Sequence, residues 1–65
     1  LSKIQQEIIN IIIEQPNITQ SDMAKKLKVS RQSIATNIKV LKDNNVLERV
    51  GANKKGYWKI LLDLQ

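Results

Sequence analysis

At 65 residues and a net charge of +5, the chain makes one small domain, close to the lower limit for a self-sufficient hydrophobic core. Cysteine and histidine are both absent, so disulfides and a zinc staple are excluded and stability must come from packing and association. The charge is uneven: from Lys25 to Lys59, ten Lys or Arg stand against two acids, Asp43 and Glu48, a local balance of +8 against −3 in the flanks. A basic stripe confined to one half fits a polyanion partner, and the plainer alternative is a solubilising surface.

Ser2-Lys3-Ile4-Gln5 has the S-x-x-Q form of a capping box and predicts a helix over about residues 3–14, closed by Glu14-Gln15-Pro16. At about 100° per residue, Ile4, Ile8, Ile9, Ile11, Ile12 and Ile13 cover roughly 200° of its surface, more than one face against a small core needs. Ile11 and Ile13 lie at the edges of that arc. Either one edge is an interaction surface for a second copy or a neighbouring domain, or the helix is a central post touched from both sides. The densest apolar stretch, Ile8 to Ile13, is short and broken by Asn10, and no signal peptide is visible, so a soluble cytoplasmic protein is the expectation. The start at Leu1 suits a domain cut from a longer chain.

Pro16-Asn17 reads as a loop. Thr19-Gln20-Ser21-Asp22 is a second capping-box-like start for a helix over about 20–28, with Met23, Ala24 and Leu27 inward. Ala24 is small where two helices cross closely. Lys28-Val29-Ser30 leaves three residues before the next helix, a link short enough to force the sharp corner of a helix-turn-helix, plugged by Val29.

The third helix, about 31–43, turns Ile34, Ile38 and Leu41 inward. Gln32, Ser33, Thr36 and Lys39 face the other way, with Arg31 and Asn37 on the flanks. These hydroxyls, amides and cations can reach base edges and phosphates in a major groove. Ser30 is the expected N-cap, at a helix end that itself attracts phosphate. An ordinary solvated face would carry more Glu and fewer Ser, Thr and Asn.

Asn44-Asn45 tolerates a left-handed C-cap. Strands are predicted over about 46–50 and 57–62, joined by the turn Gly51-Ala52-Asn53-Lys54-Lys55-Gly56. The second alternates, with Trp58, Ile60 and Leu62 on one side and Tyr57 and Lys59 on the other. Trp58 has two readings, a base-stacking aromatic of a single-strand binder or a core residue of the strand. The fold class is mainly α with a small β-hairpin. Catalysis finds no support: there is no clustered carboxylate pair and no phosphate-cradling glycine loop, and neither a metal nor any other cofactor is implied.

The run ITQSDMAKKLKVSRQSIATNIKVLKDNNVLERVG resembles the winged helix-turn-helix of bacterial regulators in the MarR-like and Lrp/AsnC-like group. The shared pattern is a small residue in helix two (Ala24), an aliphatic residue plus Ser at the corner (Val29-Ser30), an aliphatic-rich third helix (Ile34, Ile38, Leu41) and a strand like L-x-R-V (Leu47 to Val50). The ending GANKKGYWKIL is similar to the C-terminal wing of Schlafen/AlbA-like and RecG-related regulators, and to tails of some Fic-family proteins. The resemblance implies a C-terminal DNA-binding module of a larger bacterial transcriptional regulator, partnered by double-stranded DNA. It implies base contacts from Arg31, Gln32, Ser33, Thr36 and Asn37. Phosphate contacts would come from Lys25, Lys26, Ser30 and Lys39, and a wing tip from Asn53, Lys54 and Lys55. One departure is Lys28, where such corners often carry Gly; a positive φ there costs a lysine on the order of 1 kcal/mol. The rival function is a protein-docking or dimerisation module, and RNA binding is a weaker third.

Overall fold

The computed structural model describes residues 2–52 and 55–61. Helix α1 (Lys3–Glu14) begins in a complete capping box: Ser2 Oγ accepts from the Gln5 N–H while Gln5 Oε1 accepts from the Ser2 N–H. Both donors would otherwise be orphaned at the helix start. Ile8, Ile9 and Ile12 are fully buried, and Ile4 and Ile11 pack partly against the same core. α1 touches both other helices, so the isoleucine arc belongs to a central post over most of its width. Ile13 alone is left outside it, 55% exposed.

Helix α2 (Gln20–Leu27) is capped by Thr19, whose Oγ1 accepts from the Asp22 N–H. It packs mainly on α3 (Arg31–Asp43), which is capped in turn by Ser30. α2 ends one residue before the expected Lys28 because Lys28 is left-handed, φ 58° and ψ 43°. Two helices close the same way. After α2, Lys28 turns left-handed and the Val29 N–H reaches back to the Ala24 carbonyl at 3.1 Å. After α3, Asn45 has φ 58° and the Val46 N–H reaches the Leu41 carbonyl at 2.9 Å. Each pairs a left-handed residue with an aliphatic plug, which satisfies end carbonyls and aims the chain sharply away.

Strands β1 (Leu47–Val50) and β2 (Tyr57–Ile60) form an antiparallel hairpin, pairing Leu47 with Ile60, Glu48 with Lys59, Arg49 with Trp58 and Val50 with Tyr57. Both are shorter than expected. The Val46 N–H is taken by the α3 cap, so only its carbonyl extends the pairing, by accepting from the Leu61 N–H. Residue 62, placed by the sequence at the end of the second strand, lies outside the described residues. Leu47 and Trp58 point into the core while Glu48, Tyr57 and Lys59 are exposed, the alternation expected of a half-buried strand. Gly56 closes the loop by donating to the Ala52 carbonyl at 2.7 Å, and a Cβ there would sit 2.2 Å from the Val50 oxygen. No other residue fits that approach. The result is a mainly helical winged helix, three helices followed by a two-stranded wing.

Among the described residues, no helix is long and apolar enough to cross a membrane. None of their His, Cys, Asp or Glu side chains cluster in a group that could hold a metal ion.

The left-handed lysine generates a stability prediction. Lys28→Gly should raise the urea midpoint at unchanged slope, by about 1 kcal/mol at most, because glycine adopts that conformation without the Cβ clash. An Asn45→Gly variant should gain less, since Asn already tolerates it. A Lys28→Gly midpoint equal to or below the parent's would contradict this account of the corner.

Candidate nucleic-acid interface

Burial of Ile34, Ile38 and Leu41 fixes how α3 is rolled. Gln32, Thr36 and Lys39 are thereby turned to the far side, with Arg31 exposed on the flank of the first turn. Gln32 Nε2 donates to Thr36 Oγ1 at 3.3 Å, so these two act as a prearranged pair. Lys39 Nζ lies 3.0 Å from Asp43 Oδ2, with the two side chains 76% and 64% exposed. So exposed a pair adds little to stability, and its Lys-before-Asp order opposes the helix dipole. A phosphate can therefore take that ammonium at small cost.

Two of the five residues expected at bases sit differently. Ser33 is half-buried, with its N–H donating to Ser30 Oγ at 3.0 Å and its carbonyl accepting from Asn37 Nδ2 at 2.8 Å. Asn37 makes a part-buried bond to α1, its Oδ1 accepting from Gln5 Nε2 at 3.2 Å. The periodicity put Ser33 on the outward face and Asn37 on the flank; in the fold Ser33 is half-buried beside its cap, and Gln5 of α1 holds Asn37 on that flank. Arg31, Gln32 and Thr36 remain as the outward group.

Lys25 and Lys26 are exposed on α2, beyond the corner, and Lys55 is exposed in the hairpin loop. Asn53 and Lys54 lie outside the described residues. Ser30 is exposed and uses its oxygen as the α3 cap, which leaves its hydroxyl proton available as a donor.

Trp58 seats the wing. Its backbone N–H donates to the Pro16 carbonyl and its indole Nε1 donates to the Ile18 carbonyl, each at 2.7 Å, and the residue is only 5% exposed. Of its two readings, this is the core residue. Arg49 covers its ring, with the guanidinium carbon 4.7 Å from the centroid, and donates from Nη2 to the Ala52 carbonyl at 3.0 Å. Arg49 thus ties the seat of the wing to its loop, partly through a cation–π contact.

Residues 1–48 match the family model described as winged helix-turn-helix DNA-binding, which covers well over half of the chain. The chain belongs to that family. DNA is accordingly the partner of this winged helix. The family match stops at the start of the hairpin, so the loop and β2 of this winged helix lie beyond the matched span. No curated protein and no solved structure matches the chain.

Sequence reasoning passed over two residues that shape this surface. Gln5 carried a local signal, the capping box, but its contact with Asn37 spans 32 positions and leaves no trace in sequence. Arg49 was visible only as part of a strand motif. Its stacking on Trp58 could have been sought once the two strands were paired, since cross-strand partners on one face meet.

A buried indole bond predicts two behaviours of this sole tryptophan. Trp58→Phe should cost about 1–3 kcal/mol in thermal unfolding, because the buried Ile18 carbonyl loses its donor. Single-stranded oligonucleotide should leave the Trp58 fluorescence of the parent domain unchanged. Strong quenching on that addition would restore the stacking role.

Proposed function

We propose that the domain binds double-stranded DNA sequence-specifically, as the DNA-reading module of a bacterial transcriptional regulator. Helix α3 enters the major groove and the wing lies on the backbone or in the minor groove. The observation that carries this reading is the outward Arg31–Gln32–Thr36 group, set on a helix whose opposite side is locked in the core. Such a helix meets base edges with its backbone already ordered, so only the exposed side chains remain to be fixed on binding. Lys25, Lys26, Ser30, Lys39, Lys54 and Lys55, with Asn53, supply the phosphate and wing contacts, which set position and carry no sequence information. The parent is a longer regulator of the MarR-like or Lrp/AsnC-like group, or of the Schlafen/AlbA-like or RecG-related kind, a reading supported by the corner pattern and the ending GANKKGYWKIL. The module acts in the cytoplasm and performs no catalysis of its own.

A second role is favoured by one observation, the 55% exposure of Ile13 beside the buried isoleucines of α1. It makes Ile13 the candidate contact for a second copy or a neighbouring domain, while Ile11 is already packed against this chain's own core. A dimer would require half-sites about 34 Å apart or a multiple of it. Sedimentation of the domain and of Ile13→Glu separates the two roles. A concentration-dependent dimer abolished in that variant, with no binding to DNA, would replace DNA reading by docking.

Selection from random duplexes should enrich one site over the pool. Lys54→Ala combined with Lys55→Ala should weaken binding to all duplexes alike and lower the salt slope by roughly 0.9 for each phosphate no longer neutralised. A selection that enriches nothing, with equal affinity for every duplex, would reduce the function to non-specific binding.

A further inference from the structure

Two carboxamides stand on α3, and hydrogen bonding divides them. Asn37 has its Oδ1 engaged by Gln5 Nε2 at 3.2 Å and one N–H engaged by the Ser33 carbonyl at 2.8 Å, so its part-buried amide is held at both ends between α1 and its own helix. Bidentate base reading needs an acceptor and a donor aimed together at one base edge, and Asn37 would have to turn its amide out of both bonds to aim them at DNA. Gln32 is exposed and commits only one N–H, to Thr36 Oγ1 at 3.3 Å. Its carbonyl oxygen and second N–H are not engaged among the described residues, and the exposed amide is free to present an acceptor and a donor to one base. In the major groove, adenine presents the complement on a single base, the N7 acceptor and the N6 amino donor, whereas guanine presents two acceptors, N7 and O6. Thr36 accepts from Gln32 and so restricts the amide before DNA arrives, and its methyl group suits the methyl of a thymine.

We propose that Gln32, steadied by Thr36, reads an adenine in the major groove, and that Asn37 reads no base but is a positioning residue that fixes α3 against Gln5 of α1. This inference rests on the sequence-specific reading above, and the test separates the two.

A site is first selected from random duplexes with the 65-residue chain, and selection is repeated with Gln32→Arg and with Asn37→Ala. In the parent site one position is adenine, and replacing it with 7-deazaadenine, which lacks the N7 acceptor, weakens binding by about fivefold or more. The same replacement leaves Gln32→Ala unaffected. Gln32→Arg moves the preference at that position alone from adenine to guanine, because a guanidinium pairs with O6 and N7. Asn37→Ala lowers thermal stability and affinity for every duplex while selecting the parent site, and Gln5→Ala reproduces it, with the double variant no worse than either single one. Circular dichroism confirms that the exposed Gln32 variants are folded.

If selection enriches no sequence, the sequence-specific reading fails and this inference falls with it. If a site is enriched but Gln32→Arg keeps the parent preference, or Asn37→Ala changes the base chosen at one position, the assignment of the two amides is overturned while specific binding stands.

Discussion

The wing of this domain depends on Trp58. A four-residue β-ladder is marginal in water on its own, and here the hairpin is seated by Leu47 and Trp58 in the core, Trp58 adding two hydrogen bonds to the helical body. The backbone N–H and the indole N–H of Trp58 both end on carbonyls of the segment between α1 and α2, at Pro16 and Ile18. The second strand is therefore tied on one edge to its partner strand and on the other to the helical body. Arg49 lies over the indole ring and reaches the Ala52 carbonyl, carrying the order of that seat into the loop. Gly56 then completes the turn at a point where backbone atoms come too close for any side chain.

The helical half rests on economy of a different kind. Among the described residues, six of the twelve buried hydrophobic ones are isoleucines, and no polar side chain is buried with them. With so small a core, direction is set by helix ends. Lys28 and Asn45 both turn left-handed, and a valine after each returns its N–H to the helix just finished. The first of these corners sets the angle between α2 and α3 and so aims the third helix. The second lays the chain down as the first strand. A lysine at the first corner adds a cation close in the chain to Lys25 and Lys26, at some conformational cost.

The same geometry sorts the polar residues of α3 into those that hold and those that face outward. Asn37 is bonded through its side chain to Gln5 and to the Ser33 carbonyl, so it belongs to the mounting of the helix, while Ser33 is half-buried and joins those bonds through its backbone alone. Arg31, Gln32, Thr36 and Lys39 stand outward, with Gln32 bonded to Thr36 and Lys39 paired with Asp43. A DNA-binding surface needs both kinds, because discrimination between bases requires that the reading side chains not shift to accommodate a wrong one.

Much of this was open to the sequence because its signals are local. Capping boxes, inward isoleucines at helical spacing, a three-residue corner and an alternating strand each involve residues within a few positions of one another, where backbone sterics and hydrogen-bond geometry dictate the outcome. That was enough for the three helices, the hairpin, the left-handed cap at Asn45 and the inward side of α3. The long-range contacts were decided only when the elements packed. Periodicity separates the two sides of a helix but cannot say how far a neighbour reaches around its flank. For that reason Gln5 could claim Asn37, Trp58 could find Pro16 and Ile18, and Ile11 could pack where Ile13 did not. Those contacts depend on which surfaces meet in three dimensions, and no spacing along the chain encodes that.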